Sequence, residues 1–121
     1  MKIQESAENY LEMILMLTNR LGQVRSIDIA NEMNFSKPSV SIAMKNLRTN
    51  GYVDVDNKGH IKLTEKGLSI ANSVYERHKL LSQFLVHIGV NEETAKKDAC
   101  KMEHDLSDES LIKLREFMAD K

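Results

Sequence analysis

Cysteine and proline each occur once in the 121 residues, at Cys100 and Pro38. A single cysteine rules out an intrachain disulfide framework and fits a reducing compartment. No apolar run approaches the roughly 20 residues needed to cross a bilayer, and no signal peptide or lipidation motif is visible, so we expect a cytoplasmic protein with no membrane partner. Charge of one sign is also missing. The formal net charge is −1 and the pI about 6.4, which excludes a global basic field of the kind that announces non-specific nucleic-acid binding. Internal repeats and low-complexity tracts are absent.

Charge is unevenly placed along the chain. Residues 25–66 hold seven Lys and Arg against five acids, whereas residues 67–121 hold eight against ten. The middle of the chain can therefore face a polyanion, and the acidic far end can accept a cation.

Residues 5–21 carry an apolar stripe at Tyr10, Ile14, Leu17 and Leu21, the spacing of an amphipathic helix that stops near Gly22. Ser26 is expected to cap a short helix from Ile27 to Met33, with Ile27, Ile29, Ala30 and Met33 towards a core. Asn34-Phe35-Ser36 reads as a turn. The next helix opens at Lys37-Pro38, where proline is tolerated because first-turn amides have no helical partner, and stops at Asn50-Gly51. Tyr52–Val55 and His60–Leu63 alternate apolar and polar residues about a Gly-containing turn, which predicts a hairpin. Thr64 caps a long helix to about Ile88, stopped by Gly89; Asn91 and Ser107 cap two more. Leu111, Leu114, Phe117 and Met118 form an apolar face on the last.

The predicted fold is mainly α with a small β-hairpin. Helix, short helix, turn, helix and hairpin are the order of a winged helix-turn-helix, here followed by a helical domain. We place the first domain at 1–70 and the second at 71–121, linked by the long helix from about residue 64. Within the second domain, Cys100, Glu103 and His104 fall at i, i+3 and i+4, so one helix face would present a thiolate, a carboxylate and an imidazole. Those side chains bind borderline transition metals.

Six segments in one order resemble the diphtheria toxin repressor family of metal-dependent regulators, more narrowly its manganese-transport-regulator type. They are Ala7–Glu12, Ile27–Ala30, Ser36–Ser41, Leu63–Gly67, Arg77–Leu81 and Cys100–Ser107. The chain ends near where larger members begin an SH3-like domain, so we expect the two-domain type. The resemblance implies metal ligands at Asn9, Glu12, His78, Cys100, Glu103 and His104. Asn9 stands where manganese-type members carry Asp and iron-type members Met. Cys100 stands where manganese-type members usually carry Glu and iron-type members Cys, while Glu12 follows the manganese type. The implied cofactor is Mn²⁺ or Fe²⁺, with Zn²⁺ or Co²⁺ as substitutes; a second ion could use Glu12 and His78 with Glu103 as a bridge. His60, in the wing, is expected to touch a phosphate or merely face water, His87 to share no site with His78 half a turn round the same helix, and most of the methionines to fill the core.

For DNA, the recognition helix offers Ser36, Lys37, Pro38, Ser39, Ser41, Ile42, Lys45 and Arg48. Small residues near its start allow approach to base edges, with Pro38 and Ile42 adding apolar contact. Arg25, Lys45, Arg48 and Lys58 suit phosphates, which position without specifying. The expected protein is a homodimeric, metal-activated repressor of metal-uptake genes acting on a palindromic operator. The rival reading is a winged-helix regulator answering to an organic ligand or to oxidation of Cys100. An enzyme is not expected, because Cys100 and His104 belong to no nucleophile–base–orienter relay and no oxyanion-hole motif is visible.

Overall fold

The computed structural model describes residues 5–120. Six helices and one hairpin follow in the order α1 (Glu5–Leu21), α2 (Ser26–Met33), α3 (Lys37–Thr49), β1 (Val53–Val55), β2 (Ile61–Leu63), α4 (Glu65–His87), α5 (Glu92–Met102) and α6 (Asp108–Ala119). The chain forms two compact units and passes from one to the other inside α4, between Asn72 and Ser73.

The first unit is the winged helix-turn-helix. Its core takes Tyr10, Leu11, Ile14 and Leu17 from α1, Ile29 and Ala30 from α2, and Val40, Met44 and Leu47 from α3. Val53 and Ile61 bring the hairpin onto the same core, and Ala71 brings α4. Two expectations fail at its margin. Leu21 is 51% exposed and Ile27 39% exposed. Leu21 lies in the last turn of α1 and Ile27 in the first of α2, where the helices have already left the core, so periodicity overran the contact.

Helix ends follow local chemistry. Arg25, rather than Ser26, precedes α2 in extended conformation, and Asp28 accepts its backbone N–H at 2.9 Å. The arginine side chain has no acceptor, so the cap here comes from three residues downstream. Asn34 ends α2 in the left-handed region at φ 57°, a conformation Asn tolerates. Ser36 begins α3, its Oγ accepting from the Ser39 N–H at 3.3 Å. Thr64 Oγ1 accepts from the Gly67 N–H at 3.1 Å and donates to the Gly51 carbonyl at 2.7 Å.

The hairpin is antiparallel, with Val53 opposite Leu63, Asp54 opposite Lys62 and Val55 opposite Ile61. Each strand is one residue shorter than expected. Tyr52 leaves the ladder because its N–H is taken by the Leu47 carbonyl at the end of α3. The wing is tied to the rest of the unit by the Ile61 N–H, which donates to the Val24 carbonyl at 2.7 Å.

The second unit comprises the rest of α4, α5 and α6. Val74, Leu80, Leu81, Ala95, Ala99 and Leu111 are buried. Phe117 meets Phe84 and His87 edge-on, with ring centroids 6.3 and 6.0 Å apart. Gly89 leaves α4 at φ 105°, which an L side chain rarely adopts. Asn91 and Ser107 cap α5 and α6, accepting from the backbone N–H groups of Glu93 and Ser110. Among the described residues, no helix is long and apolar enough to cross a membrane.

Candidate metal centre and nucleic-acid surface

The candidate metal centre lies where α5 ends beside α4. Helix α5 stops at Met102, and Glu103 is its C-cap, still in right-handed helical conformation. Cys100 and Glu103 therefore keep the expected shared face, but His104 lies beyond the helix in the turn leading to α6. The third member of the tight cluster is instead His78, from α4. Ligand atoms of His78, Cys100 and Glu103 all lie within 4.8 Å of one another. His78 Nδ1 is 3.1 Å from Glu103 Oε2 and 3.7 Å from the Cys100 sulfur. His104 approaches the other carboxylate oxygen, its Nε2 being 3.4 Å from Glu103 Oε1. Glu103 thus lies between two imidazoles.

Burial grades across the site. Glu103 is fully buried and His104 nearly so, while Cys100 is exposed. Glu103 Oε1 makes no hydrogen bond among the described residues, although the His104 ring stands beside it. A buried carboxylate oxygen left in that condition is costly. The Cys100 sulfur, and after it the Glu103 carboxylate, push His78 up to about 10 against the opposing effect of burial. Without a cation, then, a proton on His78 balances the cluster. Imidazole, thiolate and carboxylate within one ion's reach suit a borderline divalent transition metal, and the buried Glu103 oxygen is positioned to accept it.

Asn9 and Glu12 occupy α1, three residues apart and so on one side of that helix. Glu12 is 7% exposed and Asn9 half-buried, and both engage in interactions. A carboxylate so buried is unusual on a helix that spacing alone reads as having a solvated polar face. The His87 ring packs edge-on against Phe117, their centroids 6.0 Å apart.

The candidate DNA-recognition surface is on α3. Val40, Met44 and Leu47 are buried, which turns Lys37, Ser41, Lys45 and Arg48 outwards, and Ser36, Pro38 and Ser39 at the helix start are exposed as well. Ile42 is 62% exposed. Arg25 at the head of α2 and Lys58 in the wing turn are also exposed. A crevice of about 260 Å³ between the starts of α2 and α3 is lined by Ser26, Ile27, Lys37 and Ser41. Ser26 and Ile27 were not candidates from the sequence, where a cap and a core residue were expected. The signal available was their position next to Arg25, in the first turn of the helix preceding the recognition helix.

Comparison with known proteins identifies both units. Residues 2–61 match the iron dependent repressor N-terminal DNA binding domain, and residues 64–120 match the iron dependent repressor metal binding and dimerisation domain. An HTH-type transcriptional regulator of Methanocaldococcus jannaschii is 37% identical over 118 residues, 96% of this chain and 94% of that protein. The transcriptional regulator MntR of Escherichia coli is 34% identical over 114 residues, covering 94% of this chain and 74% of its own length. The solved structure of the manganese regulator SloR superposes with a TM-score of 0.82 at 31% identity; it covers 98% of this chain, which spans only 55% of SloR. With a three-donor metal cluster in one unit, a winged helix-turn-helix in the other, and a family match across each, the chain belongs to the iron-dependent repressor family of metal-dependent transcriptional regulators, the group that includes the diphtheria toxin and manganese-transport regulators.

Proposed function

We propose that this chain is a metal-activated repressor of metal-uptake genes, working as a homodimer on a palindromic operator. The observation that carries the reading is Glu103: a fully buried carboxylate between the imidazoles of His78 and His104, with the Cys100 sulfur beside His78. His78, Cys100, Glu103 and His104 would hold the ion, and Asn9 and Glu12 are the remaining ligand positions of the family pattern. The ion supplies positive charge and fixed ligand geometry in place of the His78 proton. Mn²⁺ and Fe²⁺ are the proposed physiological metals. SloR, a manganese regulator by its description, supports the first, and the thiolate of Cys100 supports the second.

Activation then requires that metal bind more tightly to the DNA-competent state than to the alternatives, since a ligand shifts an equilibrium only by that difference. Two recognition helices of a dimer would enter successive major grooves, roughly 34 Å apart. Ile42 and Pro38 would meet thymine methyls, while Lys45, Arg48, Arg25 and Lys58 would meet phosphates.

The test is binding of labelled promoter DNA first with chelator and then with Mn²⁺, Fe²⁺ or Zn²⁺. The expected result is metal-dependent tightening that Glu103→Ala abolishes, and lower metal affinity in Glu12→Ala. Equal DNA affinity with chelator and with every metal would overturn metal activation.

A further inference from the structure

His60 lies at the base of the wing turn and does not simply face solvent. Its side chain is only 14% exposed. Nδ1 lies 3.3 Å from Asp56 Oδ2, and Nε2 lies 3.4 Å from an Arg25 guanidinium nitrogen. Asp56 is itself fixed, because its other carboxylate oxygen accepts the backbone N–H groups of Lys58 and His60, each at 2.9 Å. The Ile61 N–H donates to the carbonyl of Val24, the residue just before Arg25. Backbone and side chain thus join the wing to the head of α2 at the same place.

The chemistry gives the contact a direction. A guanidinium has donors only, so Arg25 donates and Nε2 accepts. Nδ1 must then carry the proton and donate it to Asp56, which sets one neutral tautomer. We propose that His60 is a positioning residue for DNA: wedged between Asp56 and Arg25, it holds the Arg25 guanidinium at the head of α2 as a phosphate clamp shared by the wing and the helix-turn-helix. A free arginine on this exposed turn would lose rotamer entropy on meeting a phosphate, whereas a held one has already lost it. The inference rests on the DNA-binding reading above.

The experiment is a double-mutant cycle in the full chain, with His60→Leu, Arg25→Ala and the double variant, read by promoter-DNA affinity over a salt series. Arg25→Ala should weaken binding and reduce the slope of log K against log salt by about one unit, the value for one phosphate contact. His60→Leu should weaken binding about threefold to tenfold in the wild-type background, the range for one ordinary hydrogen bond. In the Arg25→Ala background it should have no further effect. The same fold-loss in both backgrounds would overturn the clamp while leaving DNA binding intact. A wild-type chain that binds no DNA under any metal condition would instead overturn the reading on which the clamp rests. Nitrogen NMR of the unsubstituted protein adds a readout independent of folding effects: the neutral His60 ring should carry its proton on Nδ1, and a proton on Nε2 would sink the proposal.

Discussion

At the scale of single residues, the sharpest constraints are a missing side chain and a borrowed proton. Gly67, in the first turn of α4, lies so close to the Tyr52 carbonyl oxygen that an added Cβ could not fit, and the obstacle is backbone rather than a flexible side chain. Gly67→Ala should therefore cost at least about 2 kcal/mol, read as a lowered denaturation midpoint with the fold otherwise retained. The proton on His78 makes metal-free stability pH-dependent. Its pKa is raised from 6.5 to about 10 by Cys100 and then by Glu103. A raised pKa contributes stability that is whole below 6.5 and is lost as pH climbs towards 10. Denaturation of chelator-treated protein should show that decline, and Glu103→Gln, which removes one of the two partners, should flatten it. An unchanged slope in Glu103→Gln would refute the assignment to this pair.

Among the elements, helix starts were the most legible part of the chain. Thr64, Asn91 and Ser107 cap their helices as their side-chain chemistry dictates, and Ser36, read only as part of a turn, does the same for α3. Arg25 was not legible as a cap because no side chain announces it; only the carboxylate of Asp28 does. The end of α5 was also missed. Cys100-Lys101-Met102-Glu103-His104 contains neither Gly nor Pro, so nothing local signals a stop after Met102. The consequence for the site was an incomplete set of partners: spacing grouped His104 with Cys100 and Glu103, whereas His78, 22 residues from Cys100, closes the tightest cluster. Pairings across that distance are set by packing between α4 and α5, which periodicity within one helix does not encode. The family pattern supplied His78 where the local reading could not. The turn carrying Glu103 and His104 is bounded by the Ser107 cap, so Ser107→Ala should destabilise the protein by about 1 kcal/mol. Metal affinity should fall with it if the cap also holds the turn, and isothermal titration of the variant against the parent measures both the affinity and its change.

For the whole molecule, apolar surface rather than charge is where a partner copy would be sought. In the second unit Val86 is 45% exposed, Ile88 59%, Ile112 49% and Phe117 44%. Residues 64–120 match a family dimerisation domain, and these exposed side chains are candidates for the interface such a domain would use. Sedimentation of the wild type should show a dimer, and Ile112→Glu should shift it towards monomer without loss of helix content. A single monomer peak at every concentration would exclude the homodimer. Net charge gave no hint of either partner at this scale. The seven basic residues of 25–66 are diluted by acids elsewhere in the chain, and only the exposed placement of six of them on α3, the α2 head and the wing, with Lys66 in the first turn of α4, reveals them.

The hairpin has three residues in each strand. At about 3.3 Å per residue its ladder is about 10 Å long, and the turn of residues 56–60 extends it by roughly half as much again. A ribbon of that length would add at most a few base pairs of flank to a footprint set by the recognition helix of each protomer. Operators for this protein should accordingly tolerate sequence change immediately outside the half-sites.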